Sequence, residues 1–269
     1  GSFWGFWQLI HGLKAQRRAP KILVLENVTG ALTSNGGKDF EELCRALQAL
    51  GYRFGALVID AVHFVPQSRP RLFIVAVRGD VDDPGDLLEE LPSDMWASAA
   101  LRRAHAALPP RLQAAWLWWR LPSPAKSNTK LGDLIEESPS DVRWHTQEET
   151  FRLVSMMSAP SLTRLEAAKK SGMTTVGTIY RRTRPDEGGV KRQRAELRFD
   201  GIAGCLRTPG GGSSRQFIMV VKGDGVRSRL LSGREAARLM GLPDEFKLPT
   251  VYNETYHLLG DGLAVPAVS

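Results

Sequence analysis

The run Lys21-Ile22-Leu23-Val24-Leu25, closed by Glu26-Asn27, constrains this chain more than any other segment. It is a continuous apolar stretch of strand length, and such a run suits a strand covered on both faces. Helical patterns flank it. Before it, Phe3, Phe6, Trp7, Ile10 and Leu13 recur on one side at helical spacing, with Lys14, Arg17 and Arg18 near the end where cations suit the helix dipole. After the turn at Gly36 and Gly37, the residues Phe40, Leu43, Cys44, Leu47 and Leu50 repeat at helical intervals, and Gly51 supplies a stop. Two further β-rich runs, 54–64 and 72–77, flank a polar segment at 66–71. Alternating helices and apolar strands predict an α/β domain with a mostly parallel sheet.

From about Asp80 the rhythm breaks, with prolines at 84, 92, 109, 110, 122 and 124 and the cluster Trp116, Trp118 and Trp119, which reads as core or interface. Residues 172–221 are basic and rich in Gly and Thr, with Arg181, Arg182, Arg184, Lys191, Arg192, Arg194 and Arg198 ahead of the loop Thr208-Pro209-Gly210-Gly211-Gly212-Ser213-Ser214-Arg215. Basic glycine-rich loops suit close approach to a phosphate backbone. That loop has no lysine followed by Ser or Thr, so it is not a nucleotide-binding P-loop. A strand is predicted at 217–221, then a helix at 232–240 with Ser232 and Glu235 in capping-box spacing.

The formal net charge of +7 and a pI near 9.6 favour polyanionic partners. Cys44 and Cys205 lie far apart, which excludes a disulfide framework or a zinc site; no metal is expected, and Cys44 reads as a buried structural thiol. No apolar run is long enough for a membrane span and no secretory leader is visible, so a cytoplasmic, nucleoid-associated protein with no membrane partner is expected. The opening Gly1-Ser2 runs at once into a helical pattern, so the chain reads as a piece of something longer.

Four segments, in this order, resemble the later motifs of the DNA cytosine-5 methyltransferase family. Leu25-Glu26-Asn27-Val28 is similar to its Glu-Asn-Val motif, and Gln67-Ser68-Arg69-Pro70-Arg71 to its Gln-x-Arg-x-Arg motif. Residues 231–243 resemble the segment that packs between recognition and catalytic domains, and 256–265, with Gly260-Asp261-Gly262, the last motif, which folds back to complete the cofactor pocket. The Pro-Cys loop that carries the family's nucleophile, and its glycine-rich cofactor loop, would lie upstream of residue 1. Asp261 and Gly262 stand where the family has Asn and often Ser, and Cys205-Leu206 where it has a Thr-Leu pair in the recognition domain.

The resemblance implies a partial doubly wound Rossmann-like sheet with a smaller, irregular target-recognition domain. The implied boundaries are a partial catalytic domain at 1–80, a recognition domain and insertion at 81–229, and a return segment at 230–269. It implies methyl transfer from S-adenosylmethionine to C5 of a flipped-out cytosine in double-stranded DNA. Glu26, in a poorly hydrated pocket, would hold cytosine N3 and its exocyclic amine; Asn27 would fix local backbone; Arg71 and Arg69 would hold the base carbonyl and a phosphate by forked hydrogen bonds. Gly260, Asp261 and Gly262 would meet the cofactor, and Gln67, Arg207, Thr208, Gly210, Gly211, Gly212, Ser213 and Arg215 would meet DNA. The missing N-terminal half, covalent or separate, would be a partner, and the chain alone would be inactive. The alternative is a non-catalytic DNA-binding or regulatory subunit; a relative acting on transfer RNA is a third reading.

Overall fold

The computed structural model describes residues 2–82, 85–125, 127–185, 188–210 and 215–269, and for Ser2 and Arg184 the backbone only. It divides into two compact units, Gly1–Asp60 with Pro70–Ser123, and Ala61–Arg69 with Pro124–Ser269.

In the first unit helix α1 (Ser2–Ala15) leads into β1 (Ile22–Val28), α2 (Lys38–Ala49), β2 (Tyr52–Asp60) and β3 (Pro70–Arg78). The predicted apolar faces are the ones buried: Ile10, Phe40, Cys44 and Leu47 pack with Leu23, Leu72 and Ile74 in one core, joined by Phe6, Trp7 and Leu13. Trp7 Nε1 donates to Ala46 O at 3.1 Å, fastening α1 to α2.

The strand order is β1-β3-β2, and both pairings are antiparallel, which corrects the expectation of a mostly parallel sheet. Apolar runs report that a strand is buried, not which strand lies beside it, and here β3 enters between the other two. Its central position accounts for the burial of Leu72, Phe73, Ile74, Ala76 and Val77. Among the described residues β1 pairs with β3 alone, and it leaves Ile22, Val24 and Val28, which share one face, exposed.

Residues 81–123 also belong to this unit, through β4 (Leu88–Glu89), α3 (Ala99–Ala106), α4 (Pro110–Gln113) and β5 (Trp118–Trp119). Leu101, Leu108, Leu112 and Trp116 enter the same core, as expected for the tryptophan cluster. Backbone bonds from Phe54 N to Ala115 O and from Leu117 N to Phe54 O, 3.0 and 2.8 Å, lay this segment along β2. Gly55 makes that possible, since a Cβ there would fall 1.8 Å from Leu117 O.

The second unit contains α5 (Leu131–Leu134), α6 (Gln147–Ser155), α7 (Ala159–Lys170), β6 (Thr175–Pro185), β7 (Lys191–Arg198), β8 (Phe217–Lys222), β9 (Gly225–Leu230), α8 (Gly233–Leu239) and α9 (Tyr252–Asp261). Its sheet, ordered β7-β6-β8-β9, is antiparallel throughout, so the region expected to be irregular has a regular frame.

Alternation along β8 divides the apolar interior. Phe217, Met219 and Val221 pack with Leu153, Met157 and Leu165 from α6 to α7, while Ile218 and Val220 pack with Ala236, Leu239, Tyr256 and Leu259 of α8 and α9. The segment 230–269, expected to complete the domain at 1–80, packs within this second unit.

Strand β6 pairs with β8 only over residues 175–179, whereas its pairing with β7 runs on to Pro185. The β6–β7 hairpin therefore runs on past the end of β8, with Met156 and Met157 bonded along its β7 side at Ala195.

Candidate active site

The first unit brings together two of the four residues expected at the chemistry. Glu26 sits opposite Phe73 and Arg71 opposite Val28, so the two side chains are diagonal neighbours on one face of the β1–β3 pair. Long side chains reach across that diagonal: Arg71 Nε lies 2.9 Å from Glu26 Oε1, with the side chains 14% and 32% exposed. The carboxylate is thus ion-paired and open to solvent over part of its surface, in place of the dry pocket expected. A fork of this kind presents a carboxylate acceptor and guanidinium donors side by side. Arg71 Nη1 also donates to Pro70 O at 3.0 Å, which steadies the guanidinium. Asn27 Oδ1 accepts from the Val28 amide at 2.8 Å.

The loop Ala61–Arg69, between β2 and β3 in sequence, belongs to the second unit. Gln67 was expected to touch DNA; it is instead fully buried, and this is a correction. Its Nε2 donates to Leu239 O at 2.7 Å and its Oε1 accepts from the Leu206 amide at 3.0 Å, so the carboxamide is occupied by main chain.

Arg69, expected to hold a base, is 2% exposed. Its Nη1 donates to Leu206 O and its Nη2 to Gly260 O and Gly262 O, at 2.7, 2.8 and 2.6 Å. Those bonds join the 203–206 segment to the end of α9, and they use the donors that a base would need. Cys205 Sγ lies 3.3 Å from Arg69 Nη1 and donates to Leu206 O. Cys44 is the other thiol, fully buried, and burial first and the Glu41 carboxylate second push its pKa well up. Cys44 thus has the setting of a structural thiol and not of a nucleophile.

Gly260 and Asp261 lie in the last turn of α9, with Gly262 as its cap. The structure sets this end against the 207–208 loop: a Cβ on Gly260 would fall 2.5 Å from the Thr208 amide nitrogen and 2.6 Å from the Arg207 carbonyl carbon. Arg207 and Gly210 are exposed, and Thr208 is half-buried. Arg215 Nη2 donates to Asn253 Oδ1, and its guanidinium lies 5.8 Å over the Tyr252 ring. Gly211, Gly212 and Ser213 lie outside the described residues. Asp261 keeps an exposed carboxylate, 4.0 Å from His257 Nδ1.

Sequence reasoning missed the partner of the α8 cap. Ser232 and Glu235 form the predicted capping box, but the Glu235 carboxylate also receives both terminal nitrogens of Arg229, and both side chains are fully buried. Nothing local in the sequence links a strand end to a helix cap six residues later.

A family model described as C-5 cytosine-specific DNA methylase matches residues 4–269. The orphan methyltransferase M.SPBetaI of Bacillus phage SPbeta is 24% identical over 231 residues, which cover 85% of this chain and 48% of that protein. The type II methyltransferase M.NgoBI of Neisseria gonorrhoeae is 24% identical over 264 residues, covering 98% of this chain and 62% of that one. The chain thus spans about half to three-fifths of the length of these relatives. Among solved structures, a Spodoptera frugiperda DNMT2 variant aligns with a TM-score of 0.50 at 15% identity, over 97% of this chain and 67% of that one, a likeness of fold.

Proposed function

Because the chain belongs to the C-5 cytosine-specific DNA methylase family, we propose that it is the C-terminal part of an enzyme that methylates C5 of a flipped-out cytosine in double-stranded DNA, with S-adenosylmethionine as methyl donor. The Glu26–Arg71 contact carries this reading. Cytosine C5 is a weak nucleophile, and addition of a thiolate to C6 makes it enamine-like. As the sulfur–carbon bond forms, electron density moves toward N3, where a carboxyl group can hold or deliver a proton. Glu26 is the group for that task, and it also accepts from the exocyclic amine, which selects cytosine over thymine. Arg71 orients Glu26 and donates to the base carbonyl. Asn27 holds the end of β1, which carries Glu26.

The attacking thiolate comes from a polypeptide upstream of these residues, because Cys44 is sealed in a core and Cys205 is bonded within the second unit. That same half supplies most of the cofactor pocket and pairs with the open edge of β1, whose exposed apolar residues support the reading. When bound, S-adenosylmethionine supplies an electrophilic methyl group. The exposed Asp261 carboxylate fits its ammonium group, although it offers acceptors alone where an Asn would also donate. Arg207, Thr208, Gly210 and Arg215 supply the DNA-facing loop, with Gly211, Gly212 and Ser213 continuing it in sequence.

The test is methyl transfer to duplex DNA by the chain mixed with its upstream half. Activity is expected with both parts and not with the chain alone, and Glu26→Gln is expected to lower it by about a hundredfold or more. Unchanged turnover in Glu26→Gln overturns the mechanism. Specific DNA binding with no transfer in any combination favours the non-catalytic subunit, a reading supported by the burial of Cys44. Transfer to transfer RNA in place of duplex DNA would move the substrate.

A further inference from the structure

We propose that an acidic, apolar surface on the first unit docks the basic second unit of another copy of this chain. Residues 79–101 hold seven Asp and Glu and no Lys or Arg, in a chain whose formal net charge is +7. The remainder therefore carries a net +14, so each copy offers regions of opposite sign to the next.

The carboxylates share their segment with exposed apolar side chains. Leu87, Leu91, Met95 and Leu121 are 57%, 75%, 42% and 37% exposed. Two bonds draw this region together: the Arg120 amide donates to Leu87 O at 2.8 Å, and Trp96 Nε1 donates to Leu121 O at 3.3 Å. Trp96 and Trp119 are buried and anchor the segment to the unit. Asp82, Asp86, Glu89 and Glu90 are exposed along it. Among the described residues only Asp80 and Asp94 of the series meet a guanidinium, at Arg78 and Arg102. Carboxylates by themselves would make a solvated face, but large apolar groups gathered among them mark a contact surface. The charges around those groups select a cationic partner.

The second unit has that chemistry. It holds 23 Lys and Arg against 17 Asp and Glu, and two of its exposed apolar residues lie beside cations in sequence. Met173 comes three residues after Lys170, and Val190 directly precedes Lys191 and Arg192. Because the two surfaces differ, the contact is head-to-tail and can repeat from copy to copy instead of closing as a two-fold dimer. The open edge of β1 is a separate surface, so this inference stands apart from the methylase reading.

The test is sedimentation velocity over a concentration series, on the chain assembled with its upstream half so that the β1 edge is covered. At ~0.05 M salt the mass is expected to rise with concentration beyond one copy; at ~1 M salt, where the screening length falls to about 3 Å, it should return to one copy. Asp86→Asn/Glu89→Gln/Glu90→Gln and, separately, Leu91→Ser are each expected to weaken self-association roughly tenfold or more. A thermal melt matching wild type shows that these variants fold. A single copy at every concentration in low salt overturns the proposal, as does self-association that the triple variant leaves unchanged. Loss of binding between the chain and its upstream half in the triple variant makes that half the occupant and overturns the second copy.

Discussion

At the scale of single residues, the second unit depends on polar groups that water never reaches. Arg229 and Glu235 are fully buried, and the carboxylate also accepts from the Ser232 and Glu136 amides at 2.8 and 2.7 Å. The carboxylate is thereby satisfied and the guanidinium is held through both terminal nitrogens, so removing one charge strands the other in a low-dielectric site. Glu235→Gln is expected to destabilise the fold by about 3–5 kcal/mol, read as a fall in denaturant midpoint at unchanged slope; a change under 1 kcal/mol would show that water replaces the carboxylate. Half of this arrangement is legible in the sequence. Ser232 and Glu235 announce a capping box by spacing, whereas Arg229 carries no such mark. Gln67 and Arg69 show the same limit. Their motif marks them as important, yet their acceptors are main-chain atoms at 206, 239, 260 and 262, which any residue type supplies.

Among elements, close approach between the end of α9 and the 207–208 loop ties one expected site to another. An alanine at 260 places its Cβ against main chain on the loop, which cannot rotate away as a side chain would. Gly260→Ala is therefore expected to cost about 1–3 kcal/mol and to weaken DNA binding through Arg207 and Thr208. Stability and affinity that both match wild type would show that the loop yields freely. Helices α1 and α2 and strands β1 and β8 were legible because each has an unbroken apolar period, and α8 because of its capping box. The antiparallel insertion of β3 was not, since pairing partners are chosen by the sheet as a whole. The β6–β7 hairpin was hidden for a different reason: seven cations made 181–198 look like solvated loop, although Thr175, Val176, Thr178, Ile179 and Tyr180 already favour a strand.

For the whole molecule, pH acts through half-buried histidines. His105 lies 4.9 and 4.7 Å from the rings of Trp116 and Trp118, and burial there lowers its pKa. The charged form is disfavoured on folding, so its stabilising contribution is present above the unfolded value of about 6.5 and is lost as pH falls through the lowered folded value. His145 shifts the same way, burial again leading. Melting temperature should decline from pH 7 to pH 5, and His105→Asn should flatten that decline; an equally steep profile in the variant would assign it to other groups. Among the described residues no helix is long and apolar enough to cross a membrane. The division of the chain has one more consequence. Ala61–Arg69 belongs to the second unit although its neighbours in sequence belong to the first, so a nick between Ser123 and Pro124 would not release two self-sufficient modules. The piece ending at Ser123 would carry away Gln67 and Arg69, and the remainder could rebuild its interior only by recapturing that tether.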